Sequence, residues 1–186
     1  MRTLAIAQNI TVDGSIEFLD SWFDPQAQDD ELLAESHRQD DAADALLLGR
    51  RTFEDFRSYW PHQTDDSTGI TDYLNGVAKY VVSSSITDPQ WQNSTVLTGD
   101  PVEQVGQLKA QPGKDIVLTG SITLGHTLIA AGLVDEYRLF VYPTVQGRGR
   151  RLFPDGHPVP DLRLIEPPKS FDRGITLLKY AGFAAA

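Results

Sequence analysis

The sequence has no cysteine, which excludes disulfide frameworks, thiolate zinc sites and thiol nucleophiles. Basic residues are scarce: 16 Lys and Arg against 26 Asp and Glu leave a net charge of −10. Binding to nucleic acid or to an anionic membrane draws on clustered Lys and Arg, so the balance speaks against both kinds of partner. Long apolar runs are missing as well, and no stretch approaches the ~20 residues that a membrane helix needs. The opening MRTLAIAQNITVDG is interrupted by Gln8, Asn9 and Asp13 and has neither the h-region nor the small-residue cleavage site of a signal peptide. The expectation is a cytoplasmic protein with no nucleic-acid and no membrane partner. His37, His62, His126 and His157 are scattered without ligand spacing, so no metal site is expected.

Several catalytic signatures are absent too. There is no G-x-x-x-x-G-K-[ST] loop, no G-x-G-x-x-G after a strand and no G-x-S-x-G elbow. No tyrosine has a lysine four residues later, which removes the short-chain dehydrogenase acid–base pair. Gly147-Arg148-Gly149 leads into Leu152-Phe153-Pro154, so no helix N-terminus follows it. His126 sits on an expected helix with no partner and reads as a surface or lightly packed residue.

What remains is a globular composition, 40% hydrophobic and 23% charged, in 186 residues. That length suits one domain over residues 1–186, burying roughly 70% of its unfolded surface with no staple required. TLAIAQNI (3–10) reads as a buried strand ending in the Val12-Asp13-Gly14 turn. Pro25 to Asp44 reads as a helix capped by Asp24, with Leu32, Leu33, Ser36 and Ala43 on its inner side. ALLL (45–48) is a strand, and RTFEDFRSYW (51–60) a helix with Phe53, Phe56 and Tyr59/Trp60 on one side. A polar loop (62–69) and a short helix (71–75) follow, then a strand at 79–83 and a weak one at 95–97. Asp100 caps a helix over Pro101–Ala110. DIVLT (115–119) is a strand and ITLGHTLIAAG (122–132) a helix. Strands at 137–142, 163–166 and 175–180 close the chain, with Asp172-Arg173-Gly174 as the last turn. The order predicts an α/β fold: a mostly parallel sheet flanked by helices, with an antiparallel C-terminal hairpin. No repeat or linker is evident.

Three strand ends run straight into turns or helices: ALLLGRRTFEDF, KYVVSSS and DIVLTGSITLGHTLI. Ligands of open α/β sheets sit outside such ends, where helical first turns offer unpaired N–H groups to anions. Gly49 allows close backbone approach, Arg50 and Arg51 add charge, and Thr52 adds a hydroxyl. Gly120 and Ser121, with Thr123, form a second anion cradle. Two such openings suit a dinucleotide better than a mononucleotide; the plainer reading makes Gly49 and Gly120 simple tight turns. Charge placement leaves a similar pair of readings. Residues 13–44 hold eleven acids against one Arg, while basic residues gather at Arg50-Arg51 and Arg148-Arg150-Arg151. Either this is a solvated acidic face with scattered arginines, or the arginine clusters meet ligand phosphates.

The series NITVDG, ADALLLGRRTFEDF, KYVVSSS and DIVLTGSITLGHTLIAAGLVDEYRLFVYPTVQGRGRRLFPDG resembles the dihydrofolate reductase-like superfamily. More narrowly, it resembles the branch related to the reductase domain of the riboflavin-biosynthesis bifunctional deaminase–reductase. The resemblance spans nearly the whole chain and implies a twisted, mostly parallel sheet, NADPH as hydride donor and a homodimer. By that resemblance Gly49, Arg50, Arg51 and Thr52 meet the NADPH phosphates. Ser83 and Ser84 hold the adenosine 2′-phosphate side, and Gly120, Ser121, Ile122 and Thr123 lie under the pyrophosphate. The backbone at Ala7 and Ile10 walls the nicotinamide. The substrate side departs from the family: Leu33 falls nearest the helical acid of dihydrofolate reductases, and Thr119 stands where the riboflavin-type enzyme has a glutamate.

The resulting expectation is an NADPH-dependent reductase transferring a hydride to a C=N or C=O bond of a small heterocyclic or sugar-like substrate, as 5-amino-6-(5-phosphoribosylamino)uracil reductases do. Asp13, Asp30 and Glu31 are the candidate catalytic acids, water being the other proton source. For Asp13 the plainer reading is a turn-forming Asp-Gly. Arg148, Arg150 and Arg151 either hold an anionic substrate or pair with acids across a dimer interface. The rival readings are a nucleotide-binding sensor or scaffold without turnover, and a structural dimer that binds no nucleotide.

Overall fold

The computed structural model describes residues 1–24, 29–153, 156 and 161–183. Its elements run β1 (Leu4–Thr11), α1 (Asp30–Asp41), β2 (Ala43–Gly49), α2 (Arg50–Tyr59) with a 3-10 turn at Trp60–His62, α3 (Ile70–Gly76) and β3 (Ala78–Val82). Then come β4 (Ser94–Leu97), α4 (Pro101–Ala110), β5 (Asp115–Leu118), α5 (Ile122–Ala130), β6 (Glu136–Tyr142), β7 (Asp161–Leu164), β8 (Lys169–Ser170) and β9 (Thr176–Phe183). The strands form one sheet in the order β4-β3-β2-β5-β1-β6-β9-β7, with β8 also paired to β9. Every pair from β4 to β6 is parallel, and β9 is antiparallel to β6, β7 and β8.

Alternation along the strands divides the core in two. Leu4, Ile6, Leu47, Ile116 and Leu118 pack under α4 and α5, against Val105, Leu108, Leu124 and Leu128. The opposite side carries Leu46, Leu48, Val81 and Val117 beneath Phe53 of α2 and Leu74 of α3. On that same side α1 lays Leu32 on Phe140, with Phe171, Ile175 and Leu177. Each such side chain contributes roughly 1.5–3 kcal/mol on burial. Among the described residues no helix is long and apolar enough to cross a membrane.

Two expectations need correction. The first helix does not span Pro25 to Asp44. It starts at Asp30, where Asp29 Oδ1 accepts the Leu32 N–H at 2.7 Å, and Pro25 falls outside the described residues. It ends at Asp41 because Ala42 already accepts the Asp115 N–H and draws the chain into the sheet. Its buried side is Leu32, Glu35 and Gln39, with Leu33 only half-buried and Ala43 in β2. At the C-terminal edge, β7 begins two residues before the expected 163. Pro167 and Pro168 have no N–H to continue the pairing, so β7 and β8 divide the far side of β9 between them.

Glu35 locks α1 to this edge. It is 5% exposed and binds Arg38, Gln39 (3.2 Å), Lys179 (3.3 Å) and Lys169 (3.5 Å). Burial alone pushes its carboxyl up, but Arg38, Gln39 and Lys179 outweigh burial and hold it at about 2, against an ordinary 4.5. A depressed folded-state value means stability that is fully present above about pH 4.5 and lost as pH falls towards 2. Glu35→Gln should cost about 1–3 kcal/mol at neutral pH and flatten that acid limb, as read by urea unfolding across the pH range.

Candidate functional site

Three helices complete their own first turns. Asp29 caps α1, Asp100 accepts from Val102 and Glu103 on α4 (3.0 Å each), and Asp66 accepts the Thr71 N–H of α3 at 2.8 Å. The other two, α2 and α5, have no side-chain cap and no acid in the first turn. Both start at the C-terminal ends of neighbouring strands, β2 and β5. Their orphan amides and partial positive charge thus converge on one place.

Side chains clip the two starts together. The Gly49 N–H donates to Ser121 Oγ at 2.9 Å, the Ser121 N–H to Thr52 Oγ1 at 2.9 Å, and the Gly120 N–H to buried Gln8 Oε1 at 3.1 Å. The amides of Gly49, Gly120 and Ser121 therefore serve the protein itself. Those open to an anion belong to the first helical turns, Arg50 to Thr52 and Ile122 to Leu124. Gly120 has φ +56°, and a Cβ there would lie 3.0 Å from Thr52 Cγ2. Ser121 is also left-handed, φ 48° and ψ 45°, at a cost of about 1–2 kcal/mol that its hydrogen bonds to Gly49 and Thr52 offset.

Beside this clip, Arg50, Val82, Ser83, Ser84, Ser85, Gly99 and Pro101 line a cavity of about 310 Å³. Ser83 Oγ accepts the Ser85 and Ile86 N–H groups at 3.1 Å, which shapes the turn, while Ser84 and Ser85 are exposed. Arg50 reaches Glu54 at 3.6 Å, and Arg51 is exposed with no ion-pair partner among the described residues. Ile122 is half-buried and Thr123 exposed on the first turn of α5. From β3 to β1 there are three strand intervals, about 14 Å at ~4.8 Å each, with the clip between them. At the β1 end, Ala7 and Asn9 are half-buried on the α1–α2 side, whereas Ile10 turns its side chain into the α4–α5 core.

A second cavity, about 60 Å³, lies between β1, α1 and β6 and is lined by Asn9, Phe23, Leu32, Ser36, Phe140 and Tyr142. Leu32 and Ser36, not Leu33, are the α1 residues that face it. Phe18, Trp22 and Phe23 cluster against Tyr142, the Trp22 and Tyr142 centroids being 5.2 Å apart. Gln146 fixes that segment, accepting from Trp22 Nε1 at 2.8 Å and donating to Ser15 Oγ at 2.6 Å.

The candidate acids and arginines serve other contacts. Asp13 accepts from Thr11 Oγ1 (2.6 Å), Gly147 N–H (2.7 Å) and Gln146 N–H (3.1 Å), bonds that bring its carboxyl down to about 2. Asp30 and Glu31 are exposed in the first turn of α1 and line neither cavity. Arg148 pairs with Asp20 and Arg150 with Glu17, both at 2.6 Å and within this chain. Arg151 bridges to Ser15 and gives its carbonyl to His126 at 2.8 Å. Among the described residues no group of three or more His, Asp or Glu side chains could hold a metal. Gln8, Asn9, Ser36, Tyr142 and Ser85 were not legible as site residues: single polar or aromatic positions carry no local motif.

Comparison with known proteins completes the picture. The model of the RibD C-terminal domain matches residues 2–173. The uncharacterised protein YyaP of Bacillus subtilis (strain 168) is 34% identical over 140 residues, 74% of this chain and 73% of its own length. A protein assigned to riboflavin biosynthesis from Shewanella sp. PV-4 superposes with a TM-score of 0.72 at 19% identity, covering 99% and 100% of the two chains. Dihydrofolate reductase from Enterococcus faecalis, complexed with NADP(H), gives a TM-score of 0.64 at 17% identity, covering 97% and 96%.

Proposed function

We propose that this chain, which belongs to the RibD C-terminal domain family and has a dihydrofolate reductase-like fold, is an NADPH-dependent reductase of a small molecule. The observation that carries the reading is the pair of uncapped helix openings, α2 and α5, clipped side by side at the sheet's C-terminal edge. First-turn amides of Arg50–Thr52 and Ile122–Leu124 would hold a pyrophosphate, as helix N-termini hold anions generally. The 310 Å³ cavity would take the adenosine side, with Arg50, Ser84 and Ser85 around a 2′-phosphate. The half-buried stretch at Ala7 and Asn9 would face the nicotinamide end, about three strand intervals away.

Bound there, NADPH supplies a hydride. The chain's own part is to orient the two reactants and keep bulk water from between them. Gln8 and Thr52 hold the α5 opening in place through Gly120 and Ser121. The test is a fluorescence titration at fixed salt: NADPH should bind with micromolar Kd and more tightly than NADH. No association at millimolar NADPH overturns the reading.

A further inference from the structure

We propose that the seam between α1 and α3 is a proton-operated latch centred on Asp40: a proton on its carboxyl closes the seam, and loss of that proton lets the last turn of α1 part from α3. The inference is independent of the reductase reading and concerns how firmly α1 is held.

Two side-chain contacts cross the seam. His37 Nε2 donates to the Thr68 carbonyl at 2.7 Å, and the Tyr73 phenol donates to the Asp40 carboxylate. The α3 side is built to receive them. Asp66 accepts the Thr68 and Thr71 N–H groups, both at 2.8 Å, and so fixes the loop that offers the Thr68 carbonyl. Tyr73 is half-buried and packs against the apolar cluster of Leu46, Phe53 and Leu74.

The seam is a poor place for a negative charge. Asp40 is half-buried in the last turn of α1, where the helix end is itself partly negative, and exposed Asp41 adds a second carboxylate. The cations around it are engaged elsewhere. Arg38 is taken by Glu35, Arg138 by Asp115 (2.5 Å) and Glu136 (2.7 Å), and Lys114 by the Asp41 carbonyl (2.7 Å). Of the other acids nearby, Asp44 pairs with Arg2, Asp66 is closed within its loop and Asp72 is exposed. Burial pushes the Asp40 carboxyl up to about 6 from an ordinary 3.8; Asp41 adds to the rise, and His37 and Tyr73 oppose it only in part.

A folded-state value above the unfolded one means that the closed seam binds the proton more tightly than the open one. Its contribution to stability is fully present below about pH 3.8 and is lost as pH rises through about 6. Glu35, on the same helix, works in the opposite sense and favours the fold above about pH 4.5. The helix is therefore held most firmly between about pH 4.5 and 6, and its last turn is looser at neutral pH.

Hydrogen exchange read by mass spectrometry, corrected for the intrinsic effect of pH, tests the latch. Protection of amides in segments 38–44 and 66–74 should rise about tenfold between about pH 7.5 and about pH 5. Asp40→Asn, neutral throughout, should lose that dependence. Tyr73→Phe should move the midpoint to higher pH, because the phenol favours the charged carboxyl. His37→Gln should keep the dependence. A flat native profile overturns the proposal, as does a dependence that survives in Asp40→Asn. A dependence lost in His37→Gln assigns the proton to the imidazole and overturns it as well.

Discussion

Arg50→Ala should weaken NADPH binding about 10- to 100-fold while changing NADH binding by no more than about twofold. The guanidinium borders the 310 Å³ cavity beside Ser84 and Ser85, and a hydrogen bond to a charged group contributes about 1.5–3 kcal/mol. Its present partner holds it loosely: the Glu54 pair is 3.6 Å long with both side chains well exposed. Such an i,i+4 pair contributes only ~0.3–0.5 kcal/mol, so turning Arg50 towards a phosphate costs little. NADH lacks the 2′-phosphate, and the selectivity between the two cofactors is the measurement that matters. Equal losses for both would place Arg50 at the pyrophosphate instead. Unchanged NADPH affinity would remove the adenosine side from this cavity.

The largest stability effect is expected at Lys79, which is 0% exposed and faces no carboxylate among its described contacts. Its ammonium donates to the carbonyls of Leu74 (2.6 Å) and Val77 (2.9 Å) at the end of α3 and lies 4.5 Å from the Trp91 ring centroid. A cation suits a helix C-terminus and an aromatic face. Lys79→Ala would leave two carbonyls without a donor and open a void beside Trp91, at a cost of roughly 3–5 kcal/mol. Lys79→Met keeps most of the volume and should cost about 1–3 kcal/mol. Burial pulls this amine down to about 8 from an ordinary 10.5. Between those values the unfolded chain carries more protons than the folded one, so stability should rise with pH from about 8 to about 10.5. Denaturant midpoints in that window should climb for the native sequence and stay level for Lys79→Met, once the remaining titrations are matched. A native midpoint that is flat or falls would mean that the amine is not held in a desolvated place.

Much of the scaffold was legible because its signals are local. Asp100-Pro101 announces α4, the Phe53 and Phe56 spacing announces α2, and the apolar strands stop at Gly49 and Gly120. The first helix was harder. Leu32 and Leu33 are adjacent, so periodicity alone does not say which faces inward. The stripe is completed by Glu35 and Gln39, polar side chains that a hydrophobic pattern assigns to solvent. The burial of Glu35 is made possible by Lys169 and Lys179, over a hundred residues away in sequence, and Gln39 donates to Glu35 in turn. The candidate site shows the same division. Glycines and arginines beside strand ends pointed to the anion openings, while the partners of their amides could not be seen. Gln8 meets Gly120 across 112 residues, and Thr52 meets Ser121 across 69. Asp13 illustrates the limit on roles: its place in the VDG turn was plain, but its grip on Gln146 and Gly147 exists only once β1 and β6 lie side by side.

Gln8, Gly49, Thr52, Gly120 and Ser121 are bound to one another in a way that bears on how this chain can change over generations. Replacing Gln8, Thr52 or Ser121 strands a backbone donor, and replacing Gly120 drives a new carbon into Thr52, so none of these four drifts independently. Lineages carrying this turn should keep these four together or exchange them as a set, and the surrounding helices can diverge freely as long as that set travels intact.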